Sequence, residues 1–257
     1  MNRIQLKRWN RAVFTIAAVT LLGAPAPAQN IRSVRTYRVK ADRTGDFESA
    51  IKEYNAILKK GGSNHAYTIW TSQSGPGTFL RVDHYSKWAE LDVTRDPKLK
   101  EYASDLTRIG GRITRCSEGG ERIIEELLPD LSLPRAGDIP KMVSVLRTRV
   151  RAEKVDEYLA LMKSDLLPAV KKAGLKDYSL ARVRFGAPSS EFLSVAAMDS
   201  WADLDGTSWI IRAMGEDGYQ RFLAKLRPLR TESEWNIYRY MPDLSYQPTA
   251  GGSTSGN

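Results

Sequence analysis

Apolar positions recur along this chain with two spacings, which predict strands and helices in a regular order. In the first half, Phe47, Ile51, Tyr54 and Leu58 follow a helical spacing, and Gly61-Gly62 ends that helix. Short runs rich in β-branched and aromatic residues lie on either side of it. The predicted strands of this half are Ser33–Lys40, His65–Thr71, Thr78–Tyr85 and Glu121–Leu127.

The second half follows the same order. A helix is predicted from Tyr158 to Val170 and is ended near Gly174. Trp88 in the first half and Trp201 in the second stand at the start of a further predicted helix, and we expect both to anchor it in the core. The predicted strands here are Val143–Arg151, Tyr178–Phe185, Glu191–Met198 and Trp235–Met241.

Short matching segments indicate that the two halves are copies of one unit. Phe79-Leu80 through Asp92 corresponds to Phe192-Leu193 through Asp205. Leu128-Pro129-Asp130-Leu131-Ser132 corresponds to Met241-Pro242-Asp243-Leu244-Ser245, and a weaker match joins Arg38 to Arg149. All three pairs keep the same order at an offset of 111 to 113 residues, which predicts a tandem duplication.

Each half therefore predicts a βαββαβ unit, the ferredoxin-like order. A four-stranded sheet with both helices on one face leaves its other face uncovered. Two such sheets can pair and close into an eight-stranded barrel with the helices outside, and a barrel of that size holds packed side chains or one small ligand. The predicted fold class is therefore α+β.

The chain resembles the dimeric α/β-barrel superfamily. The segment Val34-Arg35-Thr36-Tyr37-Arg38-Val39-Lys40 is similar to the opening strand of NIPSNAP-type domains. The resemblance covers nearly all of the chain after its N-terminal segment, as two fused domains. It implies that one polypeptide takes the place of a homodimer. The superfamily includes monooxygenases, haem enzymes and proteins of unknown role, so the fold does not determine a function.

The N-terminus has the features of a secretory signal peptide. Four basic residues precede an apolar run from Ala12 to Leu22, and Ala26-Pro27-Ala28 is a typical cleavage site. We expect cleavage after Ala28 and a protein that is periplasmic or secreted, with no stable membrane insertion. The predicted regions are the signal peptide 1–28, the first domain 29–132, a linker 133–141, the second domain 142–246 and a disordered tail 247–257.

Charge and cysteine content narrow the classes of function. Removing the signal leaves 35 basic and 30 acidic residues, a net charge of +5 spread along the chain. A nucleic-acid partner is not expected, because it requires a concentrated basic patch. Cys116 is the single cysteine, so no intramolecular disulfide can form, and we expect it to be buried.

Strand alternation divides the third strand of the first half into two sets of side chains. We expect Leu80 and Val82 to pack under the helices and Phe79, Arg81, Asp83 and Tyr85 to face the barrel interior. The second half has Phe192, Ser194, Ala196 and Met198 at the matching positions. The expected site is therefore in the first half only.

The opening strands add further candidates. Their alternation directs Thr36 and Arg38 inward, together with Arg147 and Arg149. Converging arginines favour a carboxylate or another anion. The predicted ligand-binding residues are Arg38, Arg81, Asp83, Tyr85 and Arg149. Alternatively, these residues lie at a solvent-exposed edge of the sheet or form an ordinary buried ion pair, without binding a ligand.

Four functions fit these features. The first is a module that binds a small organic ligand inside the barrel, and the arginines favour an anionic one. The second is a cofactor-independent monooxygenase-type enzyme with Asp83, His84 and Tyr85 handling protons. The third is a haem-binding protein that uses His65 or His84, as the resemblance allows. The fourth is an interaction protein whose barrel is filled by side chains. No cofactor and no metal site are predicted, and the protein is expected to be a monomeric pseudo-dimer or a homodimer.

Overall fold

Eight antiparallel strands close into one barrel. The computed structural model describes residues 30–75, 77–93, 96–133 and 137–248. Around the barrel the strand order is β1-β3-β2-β8-β5-β7-β6-β4. The strands are β1 Ile31–Arg38, β2 Tyr67–Ser72, β3 Thr78–Tyr85, β4 Arg122–Leu127, β5 Met142–Val150, β6 Tyr178–Phe185, β7 Glu191–Met198 and β8 Arg230–Tyr240.

Helices lie outside the barrel, in the order expected from the sequence. Their bounds are α1 Thr44–Lys60, α2 Ala103–Arg115, α3 Val155–Leu161, α4 Leu167–Lys172, α5 Trp209–Met214 and α6 Glu216–Leu226. A π-helical turn, Met162–Leu166, joins α3 to α4, so this stretch forms one continuous helical segment. No helix in the described part of the chain has the length and apolar character needed to cross a bilayer.

Two seams join the strands of the first half to those of the second. In one, β2 pairs with β8 over three positions, from Trp70 opposite Tyr240 to Ser72 opposite Tyr238. In the other, β4 pairs with β6 and contains an irregularity after Ile124. Together these seams close the barrel, because each half supplies one edge strand to each.

The last residues of each half pack against the other half. The turn Pro129–Leu131 follows β4, yet Leu131 belongs to the helix-side core of the second half. The turn Pro242–Leu244 follows β8, and Leu244 is buried in the core of the first half. These are the segments that match in sequence as Leu-Pro-Asp-Leu-Ser and Met-Pro-Asp-Leu-Ser. The exchange adds apolar burial across both seams.

The barrel interior is occupied by side chains. Val34, Ile123 and Val183 form its apolar centre, and Leu80, Val82 and Leu193 pack against them. Toward one end of β1 lies the ion pair of Arg32 and Glu125, whose side chains are 11% and 2% exposed. Arg147 and Arg149 both bind the buried carboxylate of Glu191 on β7. The interior therefore has the composition of a packed core with charged ends.

The predicted direction of the β3 side chains is wrong. Phe79 lies on the helix side, 4.9 Å from the ring of Phe47 on α1, whereas Leu80 and Val82 face the interior. Arg81, Asp83 and Tyr85 share the face of Phe79, so they lie outside the barrel as well. Both faces of this sheet are covered, and hydrophobicity alone does not distinguish them.

The predicted second helix of each half also starts later than expected. Trp88 and Trp201 lie in 3₁₀ turns, Trp88–Asp92 and Trp201–Leu204, and their side chains are 41% and 45% exposed. They are therefore not core anchors. Cys116, at the end of α2, is buried as predicted. The predicted signal peptide, Arg135 in the linker and most of the predicted tail lie outside the described residues.

Candidate functional site

A buried carboxylate lies at the centre of the polar group on the helix side of the first half. Asp83 is on β3, and in the sheet it lies opposite Tyr67 of β2 and Ser33 of β1. Arg81 Nε lies 3.0 Å from both carboxylate oxygens of Asp83, and Arg81 Nη2 lies 2.7 Å from Oδ1. The side chains of Arg81 and Asp83 are 16% and 9% exposed, so this is a largely desolvated pair.

The same carboxylate holds a histidine. His65 precedes β2, and its Nε2 lies 2.7 Å from Asp83 Oδ1. Burial alone would raise the pKa of Asp83, but the hydrogen bond from His65 and the bonds and charge of Arg81 lower it to about 2. Because Asp83 is therefore ionised at neutral pH and can only accept, Nε2 of His65 carries the hydrogen. Nδ1 then has no hydrogen-bond partner among the described residues, and the His65 side chain is 37% exposed.

Aromatic rings fix the position of Arg81. Its guanidinium carbon lies 3.8 Å from the centre of the Tyr67 ring and 5.5 Å from that of Tyr54 on α1. The Tyr67 hydroxyl donates to Oδ1 of Asn55, and burial raises the pKa of that phenol. The pKa of Arg81 is itself raised: burial lowers it, but the adjacent Asp83 outweighs burial. Arg81 is thus a permanent charge that keeps Asp83 ionised.

Tyr85 lies next to this group, at its more exposed end. Its ring centre lies 5.7 Å from that of His65, and the side chain is half-buried. Burial and the nearby Asp83 raise the pKa of the Tyr85 phenol, while Arg122, Arg81 and Arg35 act in the opposite sense. The Tyr85 hydroxyl therefore lies within electrostatic range of one carboxylate and three guanidinium groups. We call His65, Arg81, Asp83 and Tyr85 the helix-side group.

The second half has no equivalent of this group. Phe192 packs 4.8 Å from Tyr158 of α3, and the Tyr178 hydroxyl lies 3.2 Å from Oγ of Ser194. Ala196 packs at the edge of the same apolar core. The polar arrangement expected from the sequence to be confined to one half is found in the first half, but on the other side of the sheet.

The structure divides the sequence-predicted residues between two places. Arg81, Asp83 and Tyr85 come together outside the barrel. Arg149 lies on the interior side of β5, where it binds Glu191 and Glu232, and Arg38 is exposed at the end of β1. These five residues therefore do not surround one ligand. His84 shares the interior-facing side of β3 with Leu80 and Val82 and is separated from Asp83 by the sheet.

Sequence reasoning missed three contributors. The sequence predicts a role for His65 only as a haem ligand and does not single out Arg35 or Arg122. Their positions depend on register: Arg35 of β1 lies directly opposite Arg81 on one side and Arg122 on the other. A strand register derived from the two matched halves would have identified these three residues as neighbours of Arg81 and Asp83.

The two histidines do not form a built haem site in the part of the chain that the structure describes. His65 binds Asp83 through Nε2, and His84 lies on the packed interior side of β3. Neither histidine lines the cleft of about 330 Å³ beside Leu131 and Leu159 or the cleft of about 360 Å³ beside Arg35 and Arg122. In the described ranges, no three His, Cys, Asp or Glu side chains group closely enough to hold a metal ion.

The closed eight-stranded barrel with outer helices is a fold that this chain shares with several solved structures. Among solved structures it is similar to a candidate monooxygenase from Fusobacterium nucleatum, with 13% identity and a TM-score of 0.57 over 86% of this chain and 98% of that one. An anthrone oxidase-like protein is 12% identical, with a TM-score of 0.55 over 83% and 92%.

Chlorite dismutase from Candidatus Nitrospira defluvii is 13% identical to this chain. Its TM-score is 0.51, over 83% of this chain and 91% of the dismutase. Identities this low show a shared fold and carry no reaction with them. No protein-family model matches the chain, and no curated protein matches it.

Proposed function

We propose that the first half of the chain binds a small organic ligand at the helix-side group and that His65 accepts a proton from it. The observation that carries this proposal is the hydrogen-bond chain from Arg81 through Asp83 to His65 Nε2. It fixes the tautomer of His65 and leaves Nδ1 directed away from the carboxylate. A base held in this way by an ionised carboxylate is a recurrent arrangement in proton transfer.

The ligand site is thus placed outside the barrel, because the interior is occupied by side chains. Tyr85 and the exposed edge of His65 offer an aromatic and a basic surface next to each other. A flat ligand with a weakly acidic hydroxyl group matches both. Tyr85 keeps its own proton at neutral pH and can donate a hydrogen bond to such a ligand.

The variant His65→Gln tests the proton transfer. The glutamine amide can donate to Asp83 as Nε2 does, but it has no basic nitrogen. With 4-nitrophenol as the probe, whose phenolate absorbs visible light, we expect the bound probe at pH 6 to be more ionised than the free probe. In His65→Gln we expect binding to persist and the ionisation to fall to the level of the free probe, as measured by absorbance titration.

Lys87→Gln is the matched control, because Lys87 is exposed just after β3 and its change removes a positive charge without touching the helix-side group. It should titrate like the unmodified protein. Equal ionisation of the bound probe in the His65→Gln variant and the unmodified protein would exclude His65 as the base.

A second candidate function is cofactor-independent oxygenation. It is supported by the proposed base and by the fold shared with a candidate monooxygenase and an anthrone oxidase-like protein. In this reaction His65 removes a proton from an activated CH₂ group, and the carbanion transfers electrons to dioxygen with formation of a C–O bond. Loss of water leaves a ketone, so CH₂ and O₂ yield C=O and H₂O. Oxygen uptake with anthrone as substrate, abolished in His65→Gln, would support it, and no uptake above the spontaneous rate would exclude it.

We further propose that the chain is an exported, duplicated relative of NIPSNAP-type domains that functions as a single-chain pseudo-dimer. The signal-like residues 1–28, the matched segments and the common element order of the two halves support this. The intact mass of the protein recovered from its native cell envelope or medium checks the export step. A chain that retains Met1 to Ala28 there would contradict it.

A further inference from the structure

Three arginines lie in one row across three neighbouring strands. Arg81 of β3 is directly opposite Arg35 of β1, and Arg35 is directly opposite Arg122 of β4. Neighbouring strands are about 4.8 Å apart. Like charges at directly opposed positions destabilise a sheet, so this arginine row needs compensation.

Among the residues that the structure describes, only one member of the row has a carboxylate partner. Arg81 is paired with Asp83. Arg122 donates from Nε to the Ser33 hydroxyl at 2.8 Å, which is a neutral partner. Arg35 is exposed and forms no ion pair or side-chain hydrogen bond with any residue that the structure describes. Two guanidinium charges are therefore left uncompensated on the same outer face as the helix-side group.

A cleft of about 360 Å³ opens beside these two charges. It is lined by Arg35 and Arg122 together with Thr114, Ser117 and Gly120 between α2 and β4. Glu121 also borders it, but its carboxylate is bound by Arg147 at 3.1 Å. Gly120 lies so close to the carbonyl of Thr36 that a Cβ there would collide with it, which keeps this side of the cleft narrow. The available polar groups therefore favour a negative ligand.

The arginine row lies close to Asp83, the carboxylate that holds His65. Arg35 and Asp83 are diagonal neighbours on β1 and β3, since Arg81 and Ser33 are their direct partners. Such positions lie roughly 7–8 Å apart. Tyr85 follows Asp83 on the same face of β3, opposite Ile31, and the pKa of its phenol is affected by Asp83 and by all three arginines. One aromatic ring with groups on opposite sides spans this distance.

We propose that Arg35 and Arg122 bind the carboxylate of an organic acid whose far end carries the acidic hydroxyl or CH₂ group presented to His65. This inference rests on the proposed function and adds the substrate class: a small aromatic carboxylate. Planar guanidinium groups bind carboxylates through paired hydrogen bonds, which fixes the orientation of the ring. A carboxylate bound there would also compensate the row of like charges on this face of the sheet.

The test compares 4-hydroxybenzoate with phenol by isothermal titration calorimetry. We expect 4-hydroxybenzoate to bind more tightly than phenol, and Arg35→Gln and Arg122→Gln each to weaken it by about tenfold, as loss of one charged hydrogen bond would. The affinity for phenol should be unchanged. Arg221→Gln is the control, since Arg221 is exposed on α6 in the second half. Higher ionic strength should weaken only the binding of 4-hydroxybenzoate.

Stability of the free protein gives a second readout. Because Arg35→Gln relieves like-charge repulsion, we expect its unliganded Tm to rise by about 1–3 °C. A lower Tm would show that Arg35 stabilises the sheet and would overturn the proposal. Competition by inorganic phosphate as strong as that by 4-hydroxybenzoate would overturn the assignment to an organic carboxylate.

The two proposals fail in different ways. If His65→Gln abolishes proton transfer but phenol and 4-hydroxybenzoate bind equally well, the helix-side group remains the site and the arginine row is excluded. If 4-hydroxybenzoate binds through Arg35 and Arg122 but His65→Gln changes nothing, the carboxylate site stands and the base does not. Absence of binding by both probes overturns both.

Discussion

Replacing Asp83 with asparagine is expected to lower the free energy of unfolding by about 3–5 kcal/mol at neutral pH. The change leaves Arg81, whose side chain is 16% exposed, as a charge without its counter-ion. It also removes the acceptor of the His65 hydrogen bond. Urea unfolding followed by tryptophan fluorescence measures the effect, and Asp138→Asn, at an exposed bend, serves as the control.

The Asp83 carboxylate also makes the stability of the fold depend on pH. The pKa of Asp83 in the folded protein is lowered from 3.8 to about 2, so its stabilising contribution is complete above pH 3.8 and is lost as the pH falls toward 2. The contribution is about 2 kcal/mol, because each pKa unit corresponds to about 1.4 kcal/mol. Asp83→Asn should flatten the stability curve between pH 4 and pH 2. An unchanged slope in this range, or a loss below 0.5 kcal/mol at neutral pH, would show that the Arg81–Asp83 pair does not stabilise the fold.

The barrel could be predicted from the sequence because the same strand pattern occurs in both halves. Strands with alternating side chains occur at matching positions in both halves, and the matched Pro-Asp-Leu-Ser segments mark both ends. The structure gives these segments a role that the sequence does not show, since Leu131 and Leu244 each pack into the opposite half. Their similarity follows from equivalent positions in the closed barrel.

The candidate site was harder to predict, for a physical reason. Alternation separates Leu80 and Val82 from Phe79 and Arg81, but it does not say which set faces inward. In a sheet covered by helices on one side and closed into a barrel on the other, both sets meet apolar surroundings. Hydrophobicity therefore does not distinguish the two sets, and in β3 the set with aromatic and charged residues lies on the helix side.

The pairing of His65 with Asp83 could not be predicted from the local sequence either, because it depends on the register between β2 and β3. His65 lies two residues before Tyr67, which is opposite Asp83. Without that register, a histidine next to a strand has no identifiable partner. The exposed positions of Trp88 and Trp201 have a similar origin, because a short 3₁₀ turn replaces the first part of the expected helix in each half.

The ion pair inside the barrel provides the second large expected effect. Arg32 Nε lies 2.5 Å from Glu125 Oε1, and Ser179 of the second half lies 3.4 Å from Arg32 Nη1. Arg32 Nη2 and Glu125 Oε2 have no hydrogen-bond partner among the described residues, and the close contact of Arg32 Nε with Glu125 Oε1 lacks hydrogen-bond geometry. Two charges have thus been removed from water with incomplete compensation, so the pair contributes little net stability even though each member depends on the other.

Arg32→Met is therefore expected to cost about 3–5 kcal/mol, because it leaves Glu125 buried without a counter-charge. The double variant Arg32→Met/Glu125→Met should recover that loss and reach or exceed the stability of the unmodified protein. Urea unfolding of the two single variants and the double variant measures the coupling. Arg184→Met is the matched control: Arg184 pairs with Glu126 across the same β4–β6 seam, but on the exposed face, where the loss should stay below about 1 kcal/mol.

The stabilities of the Arg32 and Glu125 variants also test whether the β4–β6 seam is closed in solution. Because Arg32 and Glu125 belong to β1 and β4 and face Ser179 of β6, their environment exists only when the β4–β6 seam is closed. If the barrel opened in solution, the pair would be hydrated, and Arg32→Met would cost no more than Arg184→Met. A large loss in the single variant with recovery in the double variant requires a dry interior, and with it the closed barrel that places the helix-side group on the outer face.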